Sequence, residues 1–352
     1  MKKIFALLLC AIMCFSVMTA CTQSNQPQGT DTPDEPESGD VLVIRLASIT
    51  AANDDLYEYR SGLLFQEKVE EYSNGTMKVE YYPASQLGNS TEMVEGVSVG
   101  TINMGMSVGF DIYANLDPIC SVVGMPFLFK DYEHMHAFLE GDNDAIKTIK
   151  QSMIDNVDIR VMGYCYRPFR SVVTMAKPVY APSDLAGMTI RSPEAQANMQ
   201  WLTAMGASPV TISWSELYTS LSNGAAEGAE NSITEFYGAN FQDIIGYASE
   251  TNHMAVTCLL TANNTWYESL TDEQRAVLDK ASQDLSDYNW AGFQEASEKA
   301  WKAFADKGVV CIRHDEVDDA AFRAASADIY KYFVNKGDFT EELYNSILNL
   351  KY

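Results

Sequence analysis

Alternation of apolar and polar residues predicts how the first third of the chain folds. Residues 41–50 (VLVIRLASIT) alternate and are rich in β-branched side chains, and residues 77–83 (MKVEYYP) alternate strictly until a proline, so both predict strands. Residues 56–73 between them have helical spacing and end in Ser-Asn-Gly. A helix near residues 91–99 and a strand at residues 102–108 (INMGMSV) follow. This rhythm predicts an α/β sheet with parallel neighbours.

The middle and end of the chain continue the same pattern. Residues 163–175 (GYCYRPFRSVVTM) predict strand structure, and residues 188–191 (MTIR) predict a short strand. Ser192-Pro193 then predicts a helix start, with a capping serine and a proline at the first position. Residues 308–314 (GVVCIRH) predict a late strand, and the tail from Asp318 predicts helix.

Capping boxes mark three further helix starts. In each, a Ser or Thr precedes a Glu or Gln by three residues, so that each side chain can satisfy the other's backbone N–H. The pairs are Ser213 with Glu216, Ser232 with Glu235, and Thr271 with Gln274. The last pair begins a long helical region that is predicted to run to about Lys307.

The N-terminus has the features of an export signal. Lys2 and Lys3 precede an apolar run at residues 4–18, which is shorter than the roughly 20 residues needed to span a bilayer. The run ends in Met-Thr-Ala-Cys21, which resembles the lipobox of bacterial lipoproteins and implies cleavage after residue 20 and acylation of Cys21. Residues 21–40 are then an unstructured tether, because they contain no large apolar side chain. The alternative is a secreted protein cut near residue 20, with an incidental cysteine.

Composition narrows the class of function. The formal charge of −24 argues against nucleic acid and anionic lipid as partners, but it does not exclude a small anion held at contact by a buried arginine. The length after the tether predicts roughly two domains. Cys120, Cys165, Cys258 and Cys311 are widely spaced and predict buried thiols, although an exported protein could pair them. Four scattered histidines show no metal-ligand spacing, and we expect no metal or cofactor.

Two polar residues occupy positions typical of ligand sites in α/β proteins. Arg191 ends a predicted strand and Asn231 directly precedes a predicted helix start. Ligands of open α/β sheets bind outside the carboxyl ends of the strands. An arginine there offers a planar fork that matches a carboxylate, and an asparagine can bind a second oxygen. A surface arginine and an ordinary capping asparagine are the alternative interpretation.

An ordered series of segments resembles the DctP-type solute receptors of TRAP (tripartite ATP-independent periplasmic) transporters. No single segment is decisive, but their order and spacing are specific, and the resemblance covers the chain from Val41 to its end. The segments are Leu87-Gly88, Gly100-Thr101-Ile102-Asn103-Met104, Pro126-Phe127-Leu128-Phe129, Pro182 to Arg191 (PSDLAGMTIR), Gly206-Ala207-Ser208-Pro209, Ser215-Glu216-Leu217-Tyr218 and Glu227 to Asn231 (EGAEN). The chain departs from the family pattern at Thr189, Ser192-Pro193 and Ala229, which puts the identity of the ligand in doubt but not the function.

The resemblance implies a periplasmic-binding-protein fold of type II. Two α/β lobes are joined by crossing hinge strands and close on the ligand like a clamshell, and a long helix within residues 271–307 spans both. We expect residues 41–168 plus 257–296 in lobe I and residues 169–256 plus 297–352 in lobe II.

The resemblance also implies the ligand contacts. Arg191 corresponds to the arginine that grips the substrate carboxylate, Arg170 to a second arginine, Asn231 to the ligand asparagine, and Trp214 to an aromatic that packs on the ligand. The expected protein is a monomeric receptor, outside the cytoplasm and anchored by lipid, that delivers a small organic acid to TRAP permease subunits. The broad face of Trp214 favours a sugar acid such as a uronate. Arg167 is expected at the rim, or alternatively as a second ligand contact, and capping accounts for Glu216 and Glu235.

Three other functions remain open. A C4-dicarboxylate receptor would use the same arginines, and a sensor receptor would pass its signal to a membrane kinase. The distant alternative is an exported serine hydrolase, because residues 105–109 (GMSVG) match the G-x-S-x-G motif with Ser107 as nucleophile. The residues after Ser107 predict no well-capped helix, which argues against that enzyme.

Overall fold

The computed structural model describes residues 41–352. The predicted signal peptide, the tether and Cys21 lie outside these residues. Among the helices of the described part, none is long and apolar enough to cross a membrane.

Residues 41–352 contain both strands and helices, and the chain ends in three consecutive helices. The strands are β1 (Leu42–Ser48), β2 (Met77–Tyr82), β3 (Met104–Gly109), β4 (Ile159–Tyr166), β5 (Arg170–Thr174), β6 (Thr189–Ser192), β7 (Ser208–Thr211), β8 (Gly228–Ser232), β9 (Tyr247–Ser249), β10 (Thr257–Asn263) and β11 (Val310–Ile312). The helices are α1 (Tyr57–Tyr72), α2 (Ser90–Ser98), α3 (Phe110–Tyr113), α4 (Tyr132–Glu140), α5 (Asp144–Val157), α6 (Pro182–Leu185), α7 (Gln196–Ala204), α8 (Trp214–Ser222), α9 (Ile233–Gly238), α10 (Asn264–Glu268), α11 (Asp272–Asp306), α12 (Asp319–Ser326), α13 (Ile329–Lys336) and α14 (Glu341–Leu348).

The strands form two separate sheets. The first sheet has the order β2-β1-β3-β10-β4, and the second has the order β11-β9-β5-β8-β6-β7. The β1 strand is parallel to β2 and β3, as the alternating pattern predicts, whereas β10 is antiparallel to both of its neighbours. In the second sheet β6 is parallel to β7 and β8, and β5 is antiparallel to β8 and β9.

The chain crosses between the sheets inside the segment that the sequence predicts as strand structure. Residues 163–175 form two strands, β4 in the first sheet and β5 in the second, joined by Arg167-Pro168-Phe169. Pro168 has no N–H for a ladder, so the pairing stops there and the chain can change sheets. The chain returns to the first sheet between β9 and β10.

The long helix α11 connects the two halves of the molecule, the first built on the sheet that contains β1 and the second on the sheet that contains β5. Its 35 residues make it about 50 Å long, and it contacts α1 and β4 on one side and α9 and β11 on the other. Its capping box at Thr271 and Gln274 forms as predicted. Two sheets, crossing segments and a spanning helix confirm the expected fold. The exact lobe boundaries stay a prediction. The last helix, α14, which we expected in lobe II, packs on α5, which we expected in lobe I.

Local capping signals located some helix starts and missed others. The α7 helix begins at Gln196 rather than at Ser192-Pro193, because Ser192 still pairs with Thr211 in the parallel ladder of β6 and β7. The predicted start at Ser192 is therefore wrong. Helices α8 and α9 do begin after Ser213 and Ser232, but neither serine makes a side-chain cap, so these two capping boxes do not form.

Candidate functional site

A cavity between the two sheets contains all four side chains predicted to contact a ligand. Arg170, Arg191, Trp214 and Asn231 line a space of about 430 Å³, counting the part open to solvent. Side chains from separate parts of the chain therefore meet at one space between the sheets.

Sheet topology explains why three of these residues meet. Arg191 lies near the carboxyl end of β6 and Asn231 near that of β8, and the two strands are parallel. Arg170 begins β5, which is antiparallel to β8, so its start lies at the same edge of the sheet. Residues far apart in the chain therefore converge where α/β sheets bind ligands.

Arg191 is a buried cation without a carboxylate partner. Its side chain is 3% exposed, and its Nε donates a hydrogen bond to the Ile212 carbonyl oxygen at 2.8 Å. No carboxylate of residues 41–352 lies within 4.0 Å of its guanidinium nitrogens. Burial lowers the pKa of Arg191 to about 10, so the group stays charged at neutral pH. Such a charge facing a cavity is suited to bind an anion.

Arg170 is held by two carboxylates. Its Nε lies 3.0 Å from Glu230 Oε2, and its Nη2 lies 3.5 Å from Asp111 Oδ2. Its Nη1 is buried and has no hydrogen-bond partner among the described residues. Although burial alone would raise the pKa of Glu230, Arg170 and His253 lower it overall, so Glu230 is a carboxylate. Burial lowers the pKa of His253, which is therefore neutral at pH 7.

Arg167 lies in the interior and not at the rim. It is 2% exposed, its Nη2 lies 2.8 Å from Glu235 Oε1, and its Nε lies 3.8 Å from Glu58 Oε1. Glu58 belongs to α1 and Glu235 to α9, so Arg167 joins elements that pack on different sheets. The rim position predicted for Arg167 and the purely capping role predicted for Glu235 are both wrong. The cause is tertiary: each side chain finds its partner in a distant segment.

Glu58 is a fully buried carboxyl group of this cluster with a raised pKa. Burial, together with the neighbouring Glu235 carboxylate, raises the pKa of Glu58 from its ordinary 4.5 to about 7. Neither of its side-chain oxygens has a hydrogen-bond partner among the described residues. Glu58 is therefore protonated in a large fraction of molecules at neutral pH.

We expect Glu58 to make the protein less stable as the pH rises from about 4.5 to about 7. In this window the folded state holds a proton that the unfolded state has released, so the free energy of unfolding falls, by roughly 3 kcal/mol in total, and then levels off. Glu58→Gln should remove this part of the slope. Chemical denaturation of both proteins at pH 5, 6, 7 and 8 measures it. Parallel stability curves for the two proteins would contradict the expectation.

The first half of the molecule supplies the opposite wall of the cavity. Asp111 of α3 and Ser107 of β3 line it. Ser107 has a φ of +69° and lies where β3 shifts register against β10, and its buried hydroxyl has no hydrogen-bond partner among residues 41–352. Beside the cavity, Thr91 donates a hydrogen bond to the Glu194 carboxylate, and Asn115 Nδ2 donates to the Glu194 carbonyl oxygen at 2.7 Å. These contacts join the two halves of the molecule next to Arg191.

Trp214 and Asn231 complete the wall beside Arg191. The Trp214 ring lies 5.8 Å from the Arg191 guanidinium carbon and packs on Phe236 and Phe241. Asn231 Oδ1 accepts the backbone N–H of Ser232 at 2.8 Å, and its Nδ2 has no acceptor among the described residues. Trp214 thus offers an apolar face and Asn231 offers an N–H donor.

Sequence reasoning missed the carboxylates that surround the arginines. Glu230 lies inside one of the recognised segments, but nothing local distinguishes it as a partner of Arg170. Glu58 and Asp111 sit in helices and carry no motif. Their roles follow only from contacts between segments separated by many residues.

The four remaining cysteines are free thiols. Cys120, Cys165 and Cys258 are buried, as their wide spacing predicted, whereas Cys311 is half-buried. Arg167 Nη1 donates to Cys258 Sγ at 3.2 Å, which places this thiol in the wall of the cavity.

Comparison with known proteins identifies the kind of molecule to which this cavity belongs. Residues 47–337 match the model of the family described as bacterial extracellular solute-binding protein, family 7 (DctP). The match covers most of the chain and includes every residue predicted to contact the ligand.

Individual relatives agree with the family match. A solute-binding protein of Roseobacter denitrificans is 30% identical over 278 residues, covering 79% of this chain and 83% of that protein. The 2,3-diketo-L-gulonate-binding periplasmic protein of Escherichia coli is 29% identical over 262 residues, covering 74% and 78%. A crystal structure of a TRAP solute-binding protein of R. denitrificans with bound L-galactonate is 25% identical with a TM-score of 0.78, covering 87% and 97%.

Proposed function

Because the chain belongs to the bacterial extracellular solute-binding proteins of family 7, we propose that it captures a sugar acid through Arg191 and delivers it to a TRAP permease. The solute receptor acts outside the cytoplasm, as its family does. The proposal concerns the class of ligand and the residues that bind it.

The observation that carries the proposal is the uncompensated charge of Arg191. Arg191 Nε donates its hydrogen bond to the Ile212 carbonyl oxygen, so the N–H groups on Nη1 and Nη2 remain available for other acceptors. A bidentate carboxylate is the partner that best matches a guanidinium fork. The ligand carboxylate would supply the negative charge that this wall of the cavity lacks.

The neighbouring groups suit the rest of a sugar acid. Asn231 Nδ2 and Arg170 Nη1 are donors without protein acceptors, and Trp214 presents a ring face. Sugars combine hydroxyl groups with apolar C–H faces, so donors next to an aromatic ring fit them well. Relatives that bind 2,3-diketo-L-gulonate or L-galactonate support the same class.

Ligand binding would close the two halves by a population shift. The ligand touches residues from both sides of the cavity only when they are together, so it stabilises the closed state. The contacts of Thr91 and Asn115 with Glu194 would form in the same step.

We propose that the protein binds its ligand without transforming it. A serine hydrolase would need a general base against Ser107. The Ser107 hydroxyl has no hydrogen-bond partner among residues 41–352, and His253 Nδ1 bonds to Thr251 instead, at 2.7 Å. These contacts favour the receptor over the hydrolase.

We expect at least one sugar acid to raise the melting temperature of the protein after unfolding and refolding have removed co-purified solute. The panel is D-glucuronate, D-galacturonate, L-galactonate, D-gluconate and 2,3-diketo-L-gulonate. At a concentration 100-fold above the Kd, the ligand should add about 2.7 kcal/mol to the stability, which shifts the melting temperature by several degrees. D-glucose and D-galactose, which lack the carboxylate, serve as matched controls. Equal shifts with the neutral sugars, or no shift with any acid, would contradict the proposal.

Anchoring by lipid at Cys21 also remains our proposal, because it rests on residues 1–40 alone. We expect the protein in the membrane fraction and Cys21→Ser in the soluble extracytoplasmic fraction. Recovery of both proteins in the same fraction would contradict an anchor at this cysteine.

A further inference from the structure

The charged residues that line the cavity are distributed unequally between its walls. Arg167, Arg170 and Arg191 lie on the side of the second sheet and the crossing segment, and Asp111 is the charged group that the first half contributes to the lining. Among the described residues, the rest of the lining from the first half carries no charged side chain. The wall opposite Arg191 therefore carries a single charge, and it is negative.

We propose that Asp111 makes the cavity selective for acids that carry one carboxylate and a hydroxyl group, and that it excludes dicarboxylates. This inference rests on the proposed function, because it assumes that Arg191 binds the first carboxylate. Asp111 then acts from the opposite wall as an acceptor for hydroxyl groups of the same ligand.

The geometry of Asp111 leaves it able to accept from a ligand. Oδ1 accepts the Ile112 N–H at 3.1 Å, and Oδ2 faces Arg170 Nη2 at the long distance of 3.5 Å. The side chain is 17% exposed. Because two carboxylate oxygens can accept about four hydrogen bonds, Asp111 retains capacity for a hydroxyl donor. A hydrogen bond to a charged acceptor is also stronger than one between neutral groups.

The balance of charge points in the same direction. Of the three arginines in the cavity wall, Arg167 is paired with Glu235, and Arg170 is paired with Glu230 and Asp111. Arg191 has no carboxylate of the described residues within 4.0 Å. One ligand carboxylate compensates Arg191, but a second would find no unpaired cation and would lie against Asp111. Like charges brought together out of water discriminate strongly between ligands.

The test uses pairs of acids that differ at one end only. L-galactonate and galactarate share a carbon chain, as do D-gluconate and D-glucarate, and in each pair a terminal hydroxymethyl group is replaced by a carboxylate. Calorimetry with the purified protein should give an affinity for the monocarboxylate at least about 100-fold higher than for its dicarboxylate partner. Succinate is added as a short dicarboxylate without hydroxyl groups.

Asp111→Asn should reduce this preference. The amide keeps the shape of the side chain but loses the charge, so we expect monocarboxylate binding to weaken about tenfold and dicarboxylate binding to strengthen about tenfold. Asp155→Asn on α5 makes the same change in charge at an exposed position and should leave both affinities unchanged. Melting temperatures of the ligand-free variants establish that each protein is folded.

The possible outcomes separate the two proposals. If wild type binds galactarate, D-glucarate or succinate as tightly as the monocarboxylates, or if Asp111→Asn keeps the wild-type ratio of affinities, the role of Asp111 is wrong while the receptor function stands. If no acid of either kind binds, the proposed function fails and the inference fails with it. If Asp111→Asn loses the preference for monocarboxylates while wild type and Asp155→Asn keep it, the result supports the receptor function and the role of Asp111.

Discussion

Arg191→Ala is expected to weaken sugar-acid binding by about 30-fold to several thousand-fold. Loss of one partner of a buried, hydrogen-bonded charge pair costs about 2–5 kcal/mol, and each 1.4 kcal/mol corresponds to a factor of ten in Kd. In this variant the ligand carboxylate would enter the cavity with no uncompensated cation to meet it. Calorimetric titration of both proteins with the sugar acid that gives the largest thermal shift measures the effect.

Two further variants make the Arg191 experiment specific. Arg191→Lys keeps the charge but loses the planar fork, so its affinity should fall between those of wild type and Arg191→Ala. Arg160→Ala removes an arginine that pairs with Glu268 at the surface, and it should bind like wild type. The ligand-free Arg191→Ala protein should melt within a few degrees of wild type, because loss of an uncompensated buried charge offsets the lost hydrogen bond to Ile212. Full affinity in Arg191→Ala would remove the basis of the proposed function.

Arg167→Met should have the largest effect on stability. The variant leaves Glu235, and Glu58 when ionised, buried at 4% and 0% exposure without their cation. Breaking a buried ion pair by removing one partner costs about 3–5 kcal/mol. For a protein of this size that corresponds to a fall of roughly 10 °C in melting temperature, which differential scanning calorimetry at pH 8 would detect.

A second substitution tests the cause of this loss. Arg167→Met combined with Glu235→Gln removes the stranded carboxylate together with its partner, so much of the lost stability should return. If that stability returns, the loss in Arg167→Met came from leaving Glu235 without its cation and not from lost packing. A single variant that melts like wild type, or a double variant no more stable than the single one, would show that the cluster contributes little.

Local pattern was sufficient to predict most elements of this fold. The alternation in β1 and β2, the helical spacing of α1 and the capping box of α11 each depend on residues within a few positions of one another. Such signals act through backbone geometry and side-chain periodicity, so they can be read without knowing what packs against them. The failure at Ser192 arose where a ladder partner overrode the local preference.

The primary structure was also sufficient to identify the family and to select Arg170, Arg191, Trp214 and Asn231, because the family's segments occur in order at the expected spacing. All four line one cavity. Their contacts with a ligand stay a proposal until the binding experiments are done.

Only the tertiary structure decided which charges neutralise one another. Arg167 contacts Glu58 and Glu235, which lie in helices on opposite sides of the crossing segment, and Arg170 contacts Asp111 and Glu230. Pairing between such distant residues depends on where the chain crosses between sheets, and no local pattern encodes it. The physical reason is that a charge acts over a few ångströms of space and not over a stretch of sequence. The unpaired state of Arg191, on which the proposed function depends, follows from these other pairings.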